Sequence, residues 1–91
     1  MRLIWAGDAR RDLLALAIAS DYLTPAELIE RIMTAPAILL AYPALGATTP
    51  YGNLRKWPIR RTPFLLLYEV CPDRIQIMRV VDARSDWQSF L

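Results

Sequence analysis

Histidine is missing from this sequence, cysteine occurs once, and glycine only three times in 91 residues. Without histidine the commonest general acid–base group and metal ligand is gone. Cys71 alone forms no internal disulfide. With no histidine beside it, it makes neither a zinc site nor a Cys–His nucleophile pair. Nothing around Cys71 marks an activated thiol, so it reads as an inert turn residue. Small secreted domains usually need disulfides, so the expected setting is a reducing cytoplasm. No Gly-rich phosphate loop of recognised spacing is present, and the carboxylates are scattered. The first residues, Met1 to Asp8, meet a charge too early for a signal peptide. The uncharged run Ile32 to Leu54 contains Pro36, Pro43, Pro50, Gly46 and Gly52, which argues against a membrane span.

What remains is apolar. Hydrophobic residues make up 55% of the chain and charged residues 22%, the balance of one globular domain over residues 1–91. The apolar share is high for so short a chain, and part of it is expected to be covered by a partner. The net charge of +2 is unevenly placed. Residues 1–50 carry four basic and five acidic side chains, whereas residues 51–91 carry seven and four. Arg55-Lys56-Trp57-Pro58-Ile59-Arg60-Arg61 holds four cations and no anion. It is either a solvated strand or loop, or a contact for nucleic acid or an acidic protein.

Hydrophobic periodicity divides the chain into elements. Arg2 to Trp5 reads as an opening strand, followed by a turn at Gly7-Asp8 with Asp8 as helix N-cap. A helix is expected from Asp8 to about Tyr22, apolar over a wide arc. Thr24-Pro25-Ala26-Glu27 opens a second helix, with Thr at the N-cap, Pro first and Glu third. Pro36 should kink or interrupt it, and it should end before Pro43. Ala44 to Asn53 reads as a loop. Arg55 to Ile59 is a weaker strand, limited by Pro58 to an edge or bulge.

Phe64 to Val70 and Arg74 to Val81 are the strongest strands, joined by a turn at Cys71-Pro72-Asp73. The loop length sets a register. Val70 faces Ile75, Tyr68 faces Ile77, Leu66 faces Arg79, and Phe64 faces Val81. On the other face Glu69 pairs with Gln76, Leu67 with Met78, and Leu65 with Val80. Both faces are then largely apolar. One can pack on the helices; the other needs the C-terminal segment or a partner.

For binding, Arg60, Arg61, Arg79 and Arg84 cluster around the hairpin ends. Arginine offers a planar fork to phosphate or carboxylate. Trp57 and Trp87 either stack on a partner or pack in the core. Arg79 is alternatively a side chain snorkelling at the sheet edge, and Asp82 and Asp86 can neutralise Arg84.

At these residues the chain resembles the RelE/ParE toxins of bacterial type II toxin–antitoxin systems, more closely ParE. The resemblance is carried by Leu3-Ile4-Trp5, Ala9 to Leu13, Tyr22-Leu23, Pro25-Ala26, Tyr42 to Gly46, Pro63 to Val70 and Asp73 to Trp87. It implies an α+β fold, an N-terminal helical hairpin packed on a small twisted antiparallel sheet. It implies a cognate ParD-like antitoxin in a toxin–antitoxin hetero-oligomer, and Leu65, Leu67, Met78 and Val80, or their counterparts on the opposite face, are expected to be covered by it or by a second protomer. It implies DNA gyrase as the target, and Arg60, Arg61, Arg79, Arg84 and Trp87 are then the side chains expected to touch it. No catalytic residue, cofactor, metal, membrane or small-molecule substrate is implied.

The RelE branch, which cuts ribosome-bound mRNA, implies a different set. One of its basic positions falls at Leu65 here, its tail aromatic is Trp87, and Lys56 and Arg84 remain as matches. An indole transfers no proton as a general acid or base. A non-toxic module that only sequesters an antitoxin is the third alternative. Asp82, where many ParE-like chains have histidine, the short joint between the helices, and Pro36 depart from the family pattern.

Overall fold

A computed structural model describes residues 1–21 and 23–91, the side chain of Phe90 excepted. The chain runs β1 (Arg2–Trp5), α1 (Gly7–Ala19), α2 (Pro25–Thr34), α3 (Ala37–Ala41), β2 (Ala47–Thr48), β3 (Arg55–Pro58), β4 (Phe64–Val70) and β5 (Arg74–Asp82). A single 3₁₀ turn, Trp87–Phe90, follows. The five strands form one sheet in the order β1-β5-β4-β3-β2.

The helix signals act largely as their chemistry requires. The Glu27 N–H donates to Thr24 Oγ1 at 3.3 Å, and Pro25 occupies the first turn of α2. Pro36 separates α2 from α3 and is itself fully buried. The start of α1 differs from expectation: Ala6 is the N-cap, and Asp8 lies inside the first turn, 3.4 Å from Arg11. The helix stops at Ala19, three residues short of Tyr22, which lies outside the described residues. Two further corrections concern the architecture. The sheet is mixed, because β1 runs parallel to β5. The opening strand itself stands where expected, and β5, the last strand, is paired on both sides. The stretch expected to be wholly loop also contributes β2, two residues paired with Arg55 and Lys56.

The hairpin register is right at its turn and then slips. Val70↔Ile75, Glu69↔Gln76 and Tyr68↔Ile77 pair as expected. A bulge follows, after which Leu67 faces Arg79, Leu66 faces Val80, Leu65 faces Val81 and Phe64 faces Asp82. One extra residue on β5 changes which side chains face the helices. Before the bulge these are Ile75 and Ile77; after it, Val80. Val80 thus leaves the face to which the sequence assigned it.

Each sheet face has its own core. Helices α1–α3 contribute Ala9, Leu13, Ala17, Leu28, Ile32 and Leu39 against Phe64, Leu66, Tyr68, Ile75, Ile77 and Val80. On the opposite face Leu54, Leu67, Val81 and Trp87 close together, with Leu65 and Met78 at the margin. The tail covers this second face, through Trp87 stacked edge-on to Tyr51 at 6.3 Å. Of the two covers expected for this face, the C-terminal segment supplies most, and an antitoxin contact through Leu67 and Val80 is corrected. Leu67 and Val80 are sealed by the chain itself, at 0% and 2% exposure.

The loop after α3 is tied to the sheet from beneath. Buried Tyr68 Oη donates to the Pro43 carbonyl at 2.8 Å and accepts the Gly46 N–H at 2.9 Å. A Cβ on residue 46 would lie 2.5 Å from that oxygen, so only glycine permits the approach. Arg55 Nη1 donates to the carbonyls of Gly46 and Ala44 at 2.8 and 3.2 Å. Burial pushes the Tyr68 phenol above its ordinary pKa. Among the described residues no helix is long and apolar enough to cross a membrane.

Candidate functional site

The residues singled out for target contact do not form one patch. β5 carries Arg79 at its bulge, where β1 no longer covers the strand edge. The last hydrogen bond on that edge from the β1 side is Ala6 N–H to the Ile77 carbonyl, at 2.9 Å. The open edge is closed instead by α1. Asp12 Oδ2 accepts the Val80 N–H at 3.0 Å and Arg79 Nε at 2.6 Å, while Oδ1 accepts Arg79 Nη2 at 3.0 Å. Arg79 is thus held in a two-pronged ion pair and is three-quarters shielded. The Asp12 bond raises its already high pKa further. Asp12 carried no signal in the sequence, because its partners lie 67 and 68 residues away.

The end of β5 turns on Asp82. Its Oδ1 accepts the Arg84 N–H at 2.9 Å, an Asx turn. The same carboxylate accepts Arg84 Nε at 3.0 Å and Nη2 at 2.8 Å. The Asp82 carbonyl accepts Ser85 N–H and Oγ–H at 3.0 and 2.6 Å. The Arg84 bond holds the Asp82 carboxyl below its ordinary pKa. Unlike Arg79, Arg84 leaves most of its side chain in water, at 64% exposure. The turn borders a groove of about 370 Å³ with Leu16, Ser20, Asp21 and Phe64 on its other walls.

A second groove, about 500 Å³, opens between β3 and the tail, where Lys56, Trp57, Leu65 and Trp87 meet. Lys56 is its only charged lining residue among those described. Lys56 and Arg84 therefore line different grooves and are not brought together. Trp87, expected at a target contact, is 5% exposed and belongs to the second core. Of the four side chains expected to meet an antitoxin, only Leu65 and Met78 keep partial exposure. Arg60 and Arg61 stand exposed on the turn from β3 to β4.

The apolar surplus emerges elsewhere. Leu14 and Ile18, one turn apart on α1, are 53% and 79% exposed. Met33, Ile38 and Leu40 on α2 and α3 are exposed as well.

The family model "ParE toxin of type II toxin-antitoxin system, parDE" matches residues 3–87. The chain belongs to the ParE toxin family. Its fold is similar to a chain of the chromosomal ParDE toxin–antitoxin system from P. aeruginosa, with TM-score 0.73 and 25% identity. The match covers 90% of this chain and 95% of that one. It is also similar to a chain of the RelBE2 toxin–antitoxin complex from Mycobacterium tuberculosis, with TM-score 0.62 and 23% identity over 89% and 95% of the two chains. The latter likeness is one of fold. A comparison with curated proteins finds no significant match. An α+β type II toxin is the framework into which the two grooves and the exposed helix face fit.

Proposed function

We propose that this ParE-family toxin inhibits DNA gyrase and is neutralised by a ParD-like antitoxin. The membership over residues 3–87 carries the proposal. The grooves add support. The sheet-face groove offers one cation and no carboxylate, which suits a binding poison better than a ribonuclease needing acid and base. Arg60, Arg61 and Arg84 are assigned the target contact because they stay exposed, whereas Arg79 is shielded against Asp12 and Trp87 is enclosed. Purified toxin added to gyrase and relaxed plasmid should block supercoiling. Supercoiling left intact at high molar excess refutes gyrase as the target. Cleaved transcripts on induction would turn the assignment to the RelE-like activity.

The antitoxin is assigned the outer face of α1, through Leu14 and Ile18, with Leu65 and Met78 as a smaller contact. A face this apolar is costly to leave in water and suits a hydrophobic partner helix. Leu14→Glu with Ile18→Glu should leave the fold intact, since both side chains are exposed. It should abolish co-purification with the cognate antitoxin. Unchanged co-purification would move the interface elsewhere.

A further inference from the structure

A third groove, about 420 Å³, lies between the last turn of α2, α3 and the end of β3. Three arginines enter its lining from two elements: Arg31 on α2, and Arg60 and Arg61 on the β3–β4 turn. Among the described residues, none of the three is in an ion pair, whereas Arg11, Arg74, Arg79 and Arg84 all are. The floor is apolar, built on Trp57, Ile38 and Ile59. Ile38 is 46% exposed there.

The turn that presents two of these cations is sterically unfavourable. Arg61 has φ +61°, the one positive value outside glycine among the described residues. The turn is closed by Thr62 N–H to the Ile59 carbonyl at 3.2 Å, and Thr62 Oγ1 donates to the same oxygen at 2.8 Å. Glycine meets that geometry freely and arginine does not. A charged side chain held in such a conformation directs attention to its head group.

We propose that this groove binds an acidic peptide segment of a protein partner. One apolar side chain sits against Trp57 and Ile38, and neighbouring carboxylates bridge to Arg31, Arg60 and Arg61. The assignment deepens, and rests on, the target-contact role given above to Arg60 and Arg61. Charge complementarity selects the occupant. Guanidinium forks pair with carboxylates, and an apolar floor between them has no use for a solvated phosphate backbone. Nucleic-acid binders instead present extended basic tracks, while this chain carries a net charge of only +2.

The test uses a fluorescein-labelled peptide of about ten residues, glutamates around one central leucine, titrated with the full chain by anisotropy. Saturable binding is expected, weakened by added salt. Arg60→Ala with Arg61→Gly should weaken it about tenfold. Replacing the peptide's leucine by glycine should weaken it too. Arg61→Gly alone should bind less tightly yet melt no lower than the parent, which separates charge from folding. Arg10→Ala, an exposed cation on α1, should change nothing. Absence of saturable binding overturns the proposal, as does affinity unmoved by the Arg60/Arg61 pair. An oligothymidylate of equal charge binding as tightly as the peptide would assign the groove to nucleic acid instead. Peptide binding without gyrase inhibition would fault the target and leave the groove standing; inhibition without peptide binding would do the reverse.

Discussion

Replacing Asp12 by alanine should destabilise the fold far more than the loss of a surface ion pair. The carboxylate accepts three hydrogen bonds, two from the Arg79 guanidinium and one from the Val80 amide. Exposed ion pairs contribute at most about 1 kcal/mol, and breaking a buried one costs about 3–5 kcal/mol. Asp12 and Arg79 lie between these limits, with side chains 17% and 27% exposed. The alanine variant leaves a guanidinium without its counterion and a strand amide without an acceptor. Hydrogen bonds to charged groups are worth about 1.5–3 kcal/mol each, reduced here by solvent reaching the pair. The expected loss is about 2–3 kcal/mol. For a domain of this size that lowers Tm by about 10–20 °C. Asp12→Asn keeps an acceptor for Val80 and should lose about half as much. A thermal or urea melt of Asp12→Ala, Arg79→Ala and the double variant gives the coupling, expected near 1–2 kcal/mol. A Tm shift under about 2 °C for Asp12→Ala, or additive single variants, would refute the reasoning.

Three more outcomes are expected. Tyr68→Phe leaves the Gly46 amide and the Pro43 carbonyl without their partner and should cost about 2 kcal/mol, read in a urea melt. Trp87→Ala opens the second core and should cost about 3 kcal/mol. It should also raise dye binding by exposed apolar surface, whereas a Trp87 acting only in target contact would leave stability unchanged. The Asp82 carboxyl titrates below its unfolded value, so its contribution is complete above about pH 4 and is lost as pH falls through the depressed folded pKa. Carboxyl NMR should show Asp82 titrating late in acid, and Arg84→Ala should restore an ordinary value.

The parts legible in the sequence were those whose cause is local. Thr24 with Pro25 opened α2 and Pro36 closed it, because caps and ring sterics act within one turn. The β4–β5 turn fixed three pairs near Cys71 for the same reason. The bulge did not announce itself, since alternation continues plausibly on either side of Met78. What selects the slipped register is tertiary: Val80 fits under the helices, and Asp12 receives the freed amide. β2 was invisible because two residues carry no period; β3 recruits them. In the candidate site, the exposed turn at Arg60 and Arg61 followed from the basic run, while Trp87 took the core alternative left open for it and Arg79 found an Asp12 partner that nothing in the sequence named. Charge and ring size are written in a sequence, but the partner that engages them is not.

The place of β5 in the sheet has a consequence for the order in which the molecule is made. Arg2 to Trp5 leave the ribosome well before their strand partners, Arg74 to Ile77. Asp12 likewise waits for Arg79. A nascent chain can form its helices early, but it has no complete sheet until β5 is made. Long-range pairing of this kind slows closure and leaves apolar surface open meanwhile. An unfinished copy, released early, would therefore lack the scaffold that holds the cationic turns in place.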